Sequence, residues 1–145
     1  MGQQQLLLIV LGIIIVGIAI AVGVTTFRSS AVDANRAQVI SDLNNLAAKA
    51  QRYYRTPTSM GGGGQDFNGF AVSALDTGNA NGSYSVTTTG PSGATFVAGS
   101  VTALSAAAQT IYLVGCGKED GDDNTNKVKA YVTVTPTSIA ATKLN

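Results

Sequence analysis

The chain has 145 residues, which suits one domain and leaves little room for two complete cores. Only 12% of the residues are charged, about half the roughly 25% of an ordinary soluble domain, and a net charge of +1 gives no basis for a nucleic-acid partner. With no His and one Cys, a Ser-His-Asp triad, a His relay, a His- or Cys-based metal cluster and an intramolecular disulfide are all excluded, so composition points away from enzymes and from a bound cofactor.

The first element is apolar throughout. Leu6 to Val24 read LLLIVLGIIIVGIAIAVGV, every residue aliphatic or glycine, and no charged side chain occurs before Arg28. As a helix rising about 1.5 Å per residue, the run extends about 28 Å, close to the roughly 30 Å hydrocarbon core of a bilayer. Its Ile, Val and glycines (Gly12, Gly17, Gly23) are poor helix formers in water. In lipid they are ordinary, because unpaired backbone groups there force the helix. Three readings compete: a cleaved signal peptide with Ala19-Ile20-Ala21 as its processing site, a single-pass anchor, and a helix that leaves the bilayer to be buried against copies of itself. The run is longer than the about 7–15 apolar residues of a signal peptide, and no basic residue precedes it.

No proline occurs before Pro57, so the helix is predicted to continue to about Tyr54 and to stop at Thr56-Pro57. Over residues 28–55 it becomes amphipathic. Val32, Val39, Leu46 and Tyr53 recur every seven residues, Leu43 and Ala50 fill the complementary spacing, and Ile40, Ala47 and Tyr54 lie beside them. The opposite face carries Asp33, Asn35, Asp42, Asn45, Lys49 and Arg52. Val32, Val39, Leu43, Leu46, Ala50 and Tyr53 are therefore the expected packing stripe beneath a C-terminal head.

Residues 56–66 form a joint, in which Gly61 to Gly64 are either flexible or tightly turned. Residues 67–145 change to a Thr, Ser, Val, Gly and Asn alphabet with short alternating runs. Ser83–Thr89 and Ala94–Ala98 flank Gly90-Pro91-Ser92-Gly93 and predict one β-hairpin; Thr110–Val114 and Val128–Thr135 flank a polar loop and predict a second. The expected fold class is α+β, one long N-terminal helix packed on a small antiparallel head.

This order of parts resembles the type IV pilin superfamily over the whole chain as an architecture, and at residue level in the N-terminal segment. The bacterial pattern carries Glu at the fifth mature position; here that position is Gln5 counting from Met1, or Leu7 counting from a cleavage after Gly2. A helix proline near residue 22 is likewise absent. Both departures are similar to archaeal-type pilins and divergent bacterial relatives. The resemblance implies a membrane-inserted precursor, a prepilin peptidase, an assembly machinery, and a homopolymeric extracellular filament with helices bundled at its centre and heads outside. It implies that assembly rests on Gln5, Leu6, Leu7, Leu8, Ile9, Val10, Leu11, Gly12, Ile13, Ile14, Ile15, Val16, Gly17, Ile18, Ile20, Val22, Gly23 and Val24. Physical chemistry runs the same way: small residues let bundled backbones approach, and Gln3, Gln4 and Gln5 either exchange amide hydrogen bonds in a dry bundle or start the helix at the lipid headgroups. The alternatives are a membrane-anchored exported binding domain and a pseudopilin of a secretion system.

Arg28 and Arg36, the basic groups flanking the apolar run, lie on its C-terminal side, which the positive-inside rule would keep in the cytoplasm. An external head then requires a short basic leader encoded before Met1 and later removed. N-terminal sequencing of the purified protein against its reading frame checks this; a frame that opens at this Met1 rejects it.

Motifs for chemistry are sparse. Gly115-Cys116-Gly117-Lys118 lacks the first Gly and the Ser/Thr of a phosphate loop. Asp120, Asp122 and Asp123 offer oxygen ligands for calcium, but Thr125 stands where an EF-hand loop needs Gly, and a solvated hairpin loop is the simpler reading. Cys116, ending an apolar strand, reads as a small buried thiol. Asn81-Gly82-Ser83 is a glycosylation sequon and also a common turn. The nine aromatics are spread over helix and head and make no stacking platform for nucleic acid.

Overall fold

The computed structural model describes residues 2–91, 99–123 and 125–144. One helix, α1, runs unbroken from Gly2 to Arg55, about 80 Å at 1.5 Å per residue. A single turn of 3₁₀ helix follows at Thr58–Met60. Four strands complete the fold: β1 (Gly82–Thr87), β2 (Ile111–Asp120), β3 (Lys127–Val134) and β4 (Ile139–Lys143). They pair antiparallel in the order β1-β2-β3-β4 and form one sheet, whose inner face lies on the second half of α1. The chain is thus α+β, as the change of periodicity predicts.

The helix ends where Pro57 forbids its continuation, and the glycine joint is tightly turned. The N–H groups of Gly63, Gly64 and Gln65 donate to the carbonyls of Tyr53, Thr56 and Tyr54 at 2.9, 3.0 and 2.8 Å. The open carbonyls of the last helical turn are satisfied in this way. Gly61 has φ +78°, a left-handed conformation that a side chain would strain.

Alternation sorts the sheet into two faces. Tyr84, Val86, Ile111, Leu113, Ala130, Val132 and Val134 point inward and meet Val39, Leu43, Leu46, Ala47 and Ala50 of α1, with Phe67, Phe70, Val72 and Leu104 closing the ends. On α1, Val32, Val39, Leu43, Leu46 and Ala50 are buried and Tyr53 is half-buried. Gly115 permits a close approach of β2 to α1. A Cβ built there would sit 2.8 Å from Val39 Cγ1 and 3.2 Å from Leu43 Cδ1.

Strand pairing adds to what the sequence predicts in two ways. The predicted partner of β1, Ala94–Ala98, lies outside the described residues; β1 also pairs with β2, Tyr84 opposite Gly115 and Val86 opposite Leu113. That register keeps both apolar sets on the helix side. The fourth strand is β4, which the sequence reading does not contain; its Ala140-Ala141-Thr142 lacks apolar alternation, and its position follows from the turn Thr135–Ser138, where the Thr135 N–H donates to the Ser138 carbonyl at 2.9 Å. The second hairpin forms as predicted but is longer, reaching Asp120 on one strand and starting at Lys127 on the other.

A candidate assembly helix and its charged collar

From Gly2 to Phe27 the helix buries no side chain against the described residues of the head: Leu6 to Val22 are all exposed, Val24 is 63% exposed and Phe27 81%. Every residue of the assembly set from Gln5 to Val24 lies on this free length, with Gly23 half-exposed. α1 contains a window long and apolar enough to cross a membrane, and none of that window is buried by the head. A Cβ on Gly12, Gly17 or Gly23 would meet no atom within 4 Å, so nothing among the described residues requires glycine at these positions. Thr25 and Thr26 turn their hydroxyls back onto the Val22 carbonyl, each at 2.9 Å, which hides two polar groups at the end of the apolar run.

The head meets the helix at a collar of charges just beyond that run. The loop between β2 and β3 approaches α1 here, and its carboxylates are taken by separate cations. Asp120 pairs with Lys127 at 2.8 Å and with Arg28 at 4.0 Å. Asp122 pairs with Lys143 of β4 and with Arg36 of α1, both at 2.7 Å, and Arg36 also holds Asp33 at 2.7 Å. The Lys127 ammonium holds the Asp120 carboxyl below the usual carboxylate range, and Lys143 with Arg36 does the same for Asp122. Asp123 accepts hydrogen bonds from the Asn126 side chain and from the backbone N–H groups of Asn126 and Thr125, which bring it down to about 2. The three calcium candidates are therefore adjacent in sequence but are divided between two cationic groups and their own loop. Among the described residues, no group of three His, Cys, Asp or Glu side chains converges.

Higher on the seam, the polar face of α1 is less solvated than its sequence suggests. Asp42 Oδ2 accepts from the Tyr84 hydroxyl at 2.6 Å and from Asn79 Nδ2 at 2.8 Å, while Gln38 Nε2 donates to Oδ1 at 3.1 Å. Asn35 Nδ2 donates to the Asn81 carbonyl at 2.9 Å. The sequon residue Asn81 is itself half-buried at this seam, with its amide 3.4 Å from Asp42. Arg36, on neither predicted face set, is buried; its signal in the sequence was the Asp33–Arg36 spacing of three.

Burial pushes the Asp42 carboxyl up, but the Tyr84, Asn79, Gln38 and Asn81 donors outweigh it and hold the carboxyl below its ordinary value. For Tyr84, burial first and the Asp42 carboxylate second push the phenol well above its ordinary value. A depressed acid stabilises the fold fully above its unfolded pKa of about 3.9 and ceases to do so as pH falls through the folded value. A raised phenol stabilises below about pH 10 and loses that contribution as pH rises beyond it. Tyr84→Phe is expected to cost about 1 kcal/mol near neutral pH and to flatten the alkaline decline. Melting temperatures of both proteins from pH 3 to 11 check this, and parallel curves at alkaline pH would contradict it.

Cys116 is half-buried on the outer face of the sheet, not fully buried as its sequence context suggests, because odd-numbered positions of β2 take the core face. Burial raises its thiol pKa despite the nearby Lys129 and Lys127, so the sulfur is protonated and a poor nucleophile at neutral pH. Tyr112 and Tyr131 share that outer face, ring centres 6.1 Å apart. The chain matches no protein-family model, no curated protein and no solved structure.

Proposed function

We propose that this chain is the structural subunit of a homopolymeric helical filament of type IV pilus type, non-enzymatic, with its apolar helices bundled in the filament core and its β heads outside. The observation that carries this reading is the free half of α1: a spanning-length apolar helix, unburied by its own head and continuous with the amphipathic half that anchors that head. Such a surface cannot face water, since each buried Leu or Ile side chain is worth roughly 1.5–3 kcal/mol relative to an exposed one. A bilayer covers it before assembly, and copies of itself cover it afterwards, so the transfer never exposes it to water. Gly12, Gly17 and Gly23, whose Cβ positions meet no atom of the described residues, fit close backbone approach between copies. A repeated head-to-tail contact whose rotation does not close generates a filament.

The filament stands on the cell surface and its partner is the same chain, with no cofactor or nucleic acid needed. Shearing cells, sedimenting the supernatant and examining the pellet by negative stain tests the proposal. Abundant long filaments made of this chain support it. Chain retained wholly in the membrane fraction rejects it in favour of an anchored monomeric domain, and short stubs confined to the envelope favour a pseudopilin.

A further inference from the structure

The two edges of the sheet are finished differently. On β1 the outer edge is closed by the chain itself: the Tyr84 N–H donates to the Thr77 carbonyl at 2.8 Å, the Gly99 N–H donates to the Tyr84 carbonyl at 3.0 Å, and Gly78 bridges Ser83. On β4 all five residues are exposed, and among the described residues no segment lies along its outer side. The direction of its backbone groups follows from the ladder. Thr135–Ser138 and Lys129–Leu144 are hydrogen-bonded pairs with β3, by bonds of 2.9 and 3.0 Å. In an antiparallel ladder such pairs alternate with non-bonded ones. Ala140 and Thr142 therefore spend their N–H and C=O groups on β3, while those of Ile139, Ala141 and Lys143 point outward.

An exposed row of this kind is a template for another strand unless bulk, charge, proline or a covering element blunts it. β4 contains no proline, its middle is Ala140-Ala141-Thr142, and its single charge is at the end. We propose that the open edge of β4 is a self-complementary docking edge, through which two copies of this chain pair antiparallel about a two-fold axis at Ala141. In that register Ala141 meets its own copy, and Ile139 of each copy lies opposite Lys143 of the other, each pair exchanging both N–H···O bonds. Every outward group of β4 is then used, and no lysine faces a lysine. A second β4 fits as the occupant because the edge is its own complement in length, side-chain size and charge placement, whereas the β1 edge is already occupied within its own chain.

The axis has a consequence for direction. The strands run along α1: the β2–β3 loop meets α1 near Arg28 and Arg36, and the turn between β3 and β4 meets Gln51, whose Nε2 donates to the Thr135 carbonyl at 3.0 Å. A two-fold across β4 therefore reverses α1, so the paired copies point in opposite directions. Chains inserted the same way in one membrane cannot form this pair. Resting on the filament reading, the same pairing joins filaments that run antiparallel and bundles them.

Ala141→Cys, made in the full chain with Cys116→Ser, tests the pairing by oxidative cross-linking. Paired Cα atoms in a hydrogen-bonded position lie about 5.5 Å apart, inside the roughly 4.4–6.8 Å that a disulfide bridges. Thr137→Cys in the same background is the control; it is exposed, and the proposed axis holds its two copies about 27 Å apart. The expected result is covalent dimer from Ala141→Cys in detergent and in sheared filaments, about tenfold above Thr137→Cys, and none in intact membranes. No dimer at position 141 in detergent, equal yields at both positions, or equal yield in membranes would overturn it. If shearing releases no filaments while the detergent dimer forms, the filament reading fails and the edge pairing stands.

Discussion

Ile14→Asp is expected to abolish polymerisation. Ile14 sits mid-run on the free half of α1, 53% exposed in the single chain, and a filament core would bury it among other aliphatic side chains. A carboxylate there costs about 3 kcal/mol when the helix enters lipid. Left unpaired between packed helices it costs about 3–5 kcal/mol. Even the lower figure weakens each subunit addition by more than about a hundredfold, so chain in the sheared, sedimentable fraction should fall to roughly 1% of the unmodified level or less. Ile14→Leu, which conserves volume and polarity, should leave that fraction unchanged. Normal filaments from Ile14→Asp would remove the basis for placing assembly on this helix. Deleting residues 1–27 should give a soluble, folded head that no longer polymerises and associates no further than a β4-paired dimer, because the core begins at Val32 and takes nothing from the apolar half; sedimentation equilibrium and circular dichroism read both properties.

Leu43→Ala is expected to have the largest effect on the head itself. Leu43 is fully buried at the point where α1 meets β2, against the gap that Gly115 leaves. Truncating such a leucine removes its burial and leaves a cavity the sheet cannot collapse into, at a cost of about 2–5 kcal/mol. For a head of this size the melting temperature should fall by about 10–20 °C. Gly115→Val acts on the same contact in the opposite sense. Its added Cβ already presses on Val39 and Tyr84, and overpacking of this kind costs about 1–3 kcal/mol. Leu75→Ala is the contrast, since Leu75 is 89% exposed and its loss should lie within about 0.5 kcal/mol of neutral. Thermal unfolding of the detergent-solubilised chain ranks the three, and a Leu43→Ala melt within a few degrees of the unmodified protein would mean that the seam is not the core.

The helix and its two characters were legible from local physics alone. Pro57 sets where the helix stops, the run from Leu6 to Val24 has only one polarity, and the seven-residue recurrence of Val32, Val39, Leu46 and Tyr53 selects a buried face whatever lies against it. The alternating strands at 111–114 and 128–134 were legible for the same reason, because a period of two is written in consecutive residues.

Only tertiary structure decided which strand meets which, because pairing depends on residues far apart in sequence. β1 takes β2 as its partner because that register puts Tyr84 and Val86 beside Ile111 and Leu113 on one side. Ala140-Ala141-Thr142 has no pattern of its own and becomes a strand because β3 offers it an edge. The acidic run at 120–123 reads in sequence as a set of ligands; in space each carboxylate meets a different cation or its own loop, since Arg28, Arg36 and Lys143 arrive from elements that only folding brings there. Likewise Asp42 and Asn35 belong to a polar face in sequence and to the seam in space, because Tyr84 and Asn81 reach them from strand and turn. Periodicity along the chain records which face of an element is buried; the partners of a polar side chain depend on contacts between elements, which no local pattern encodes.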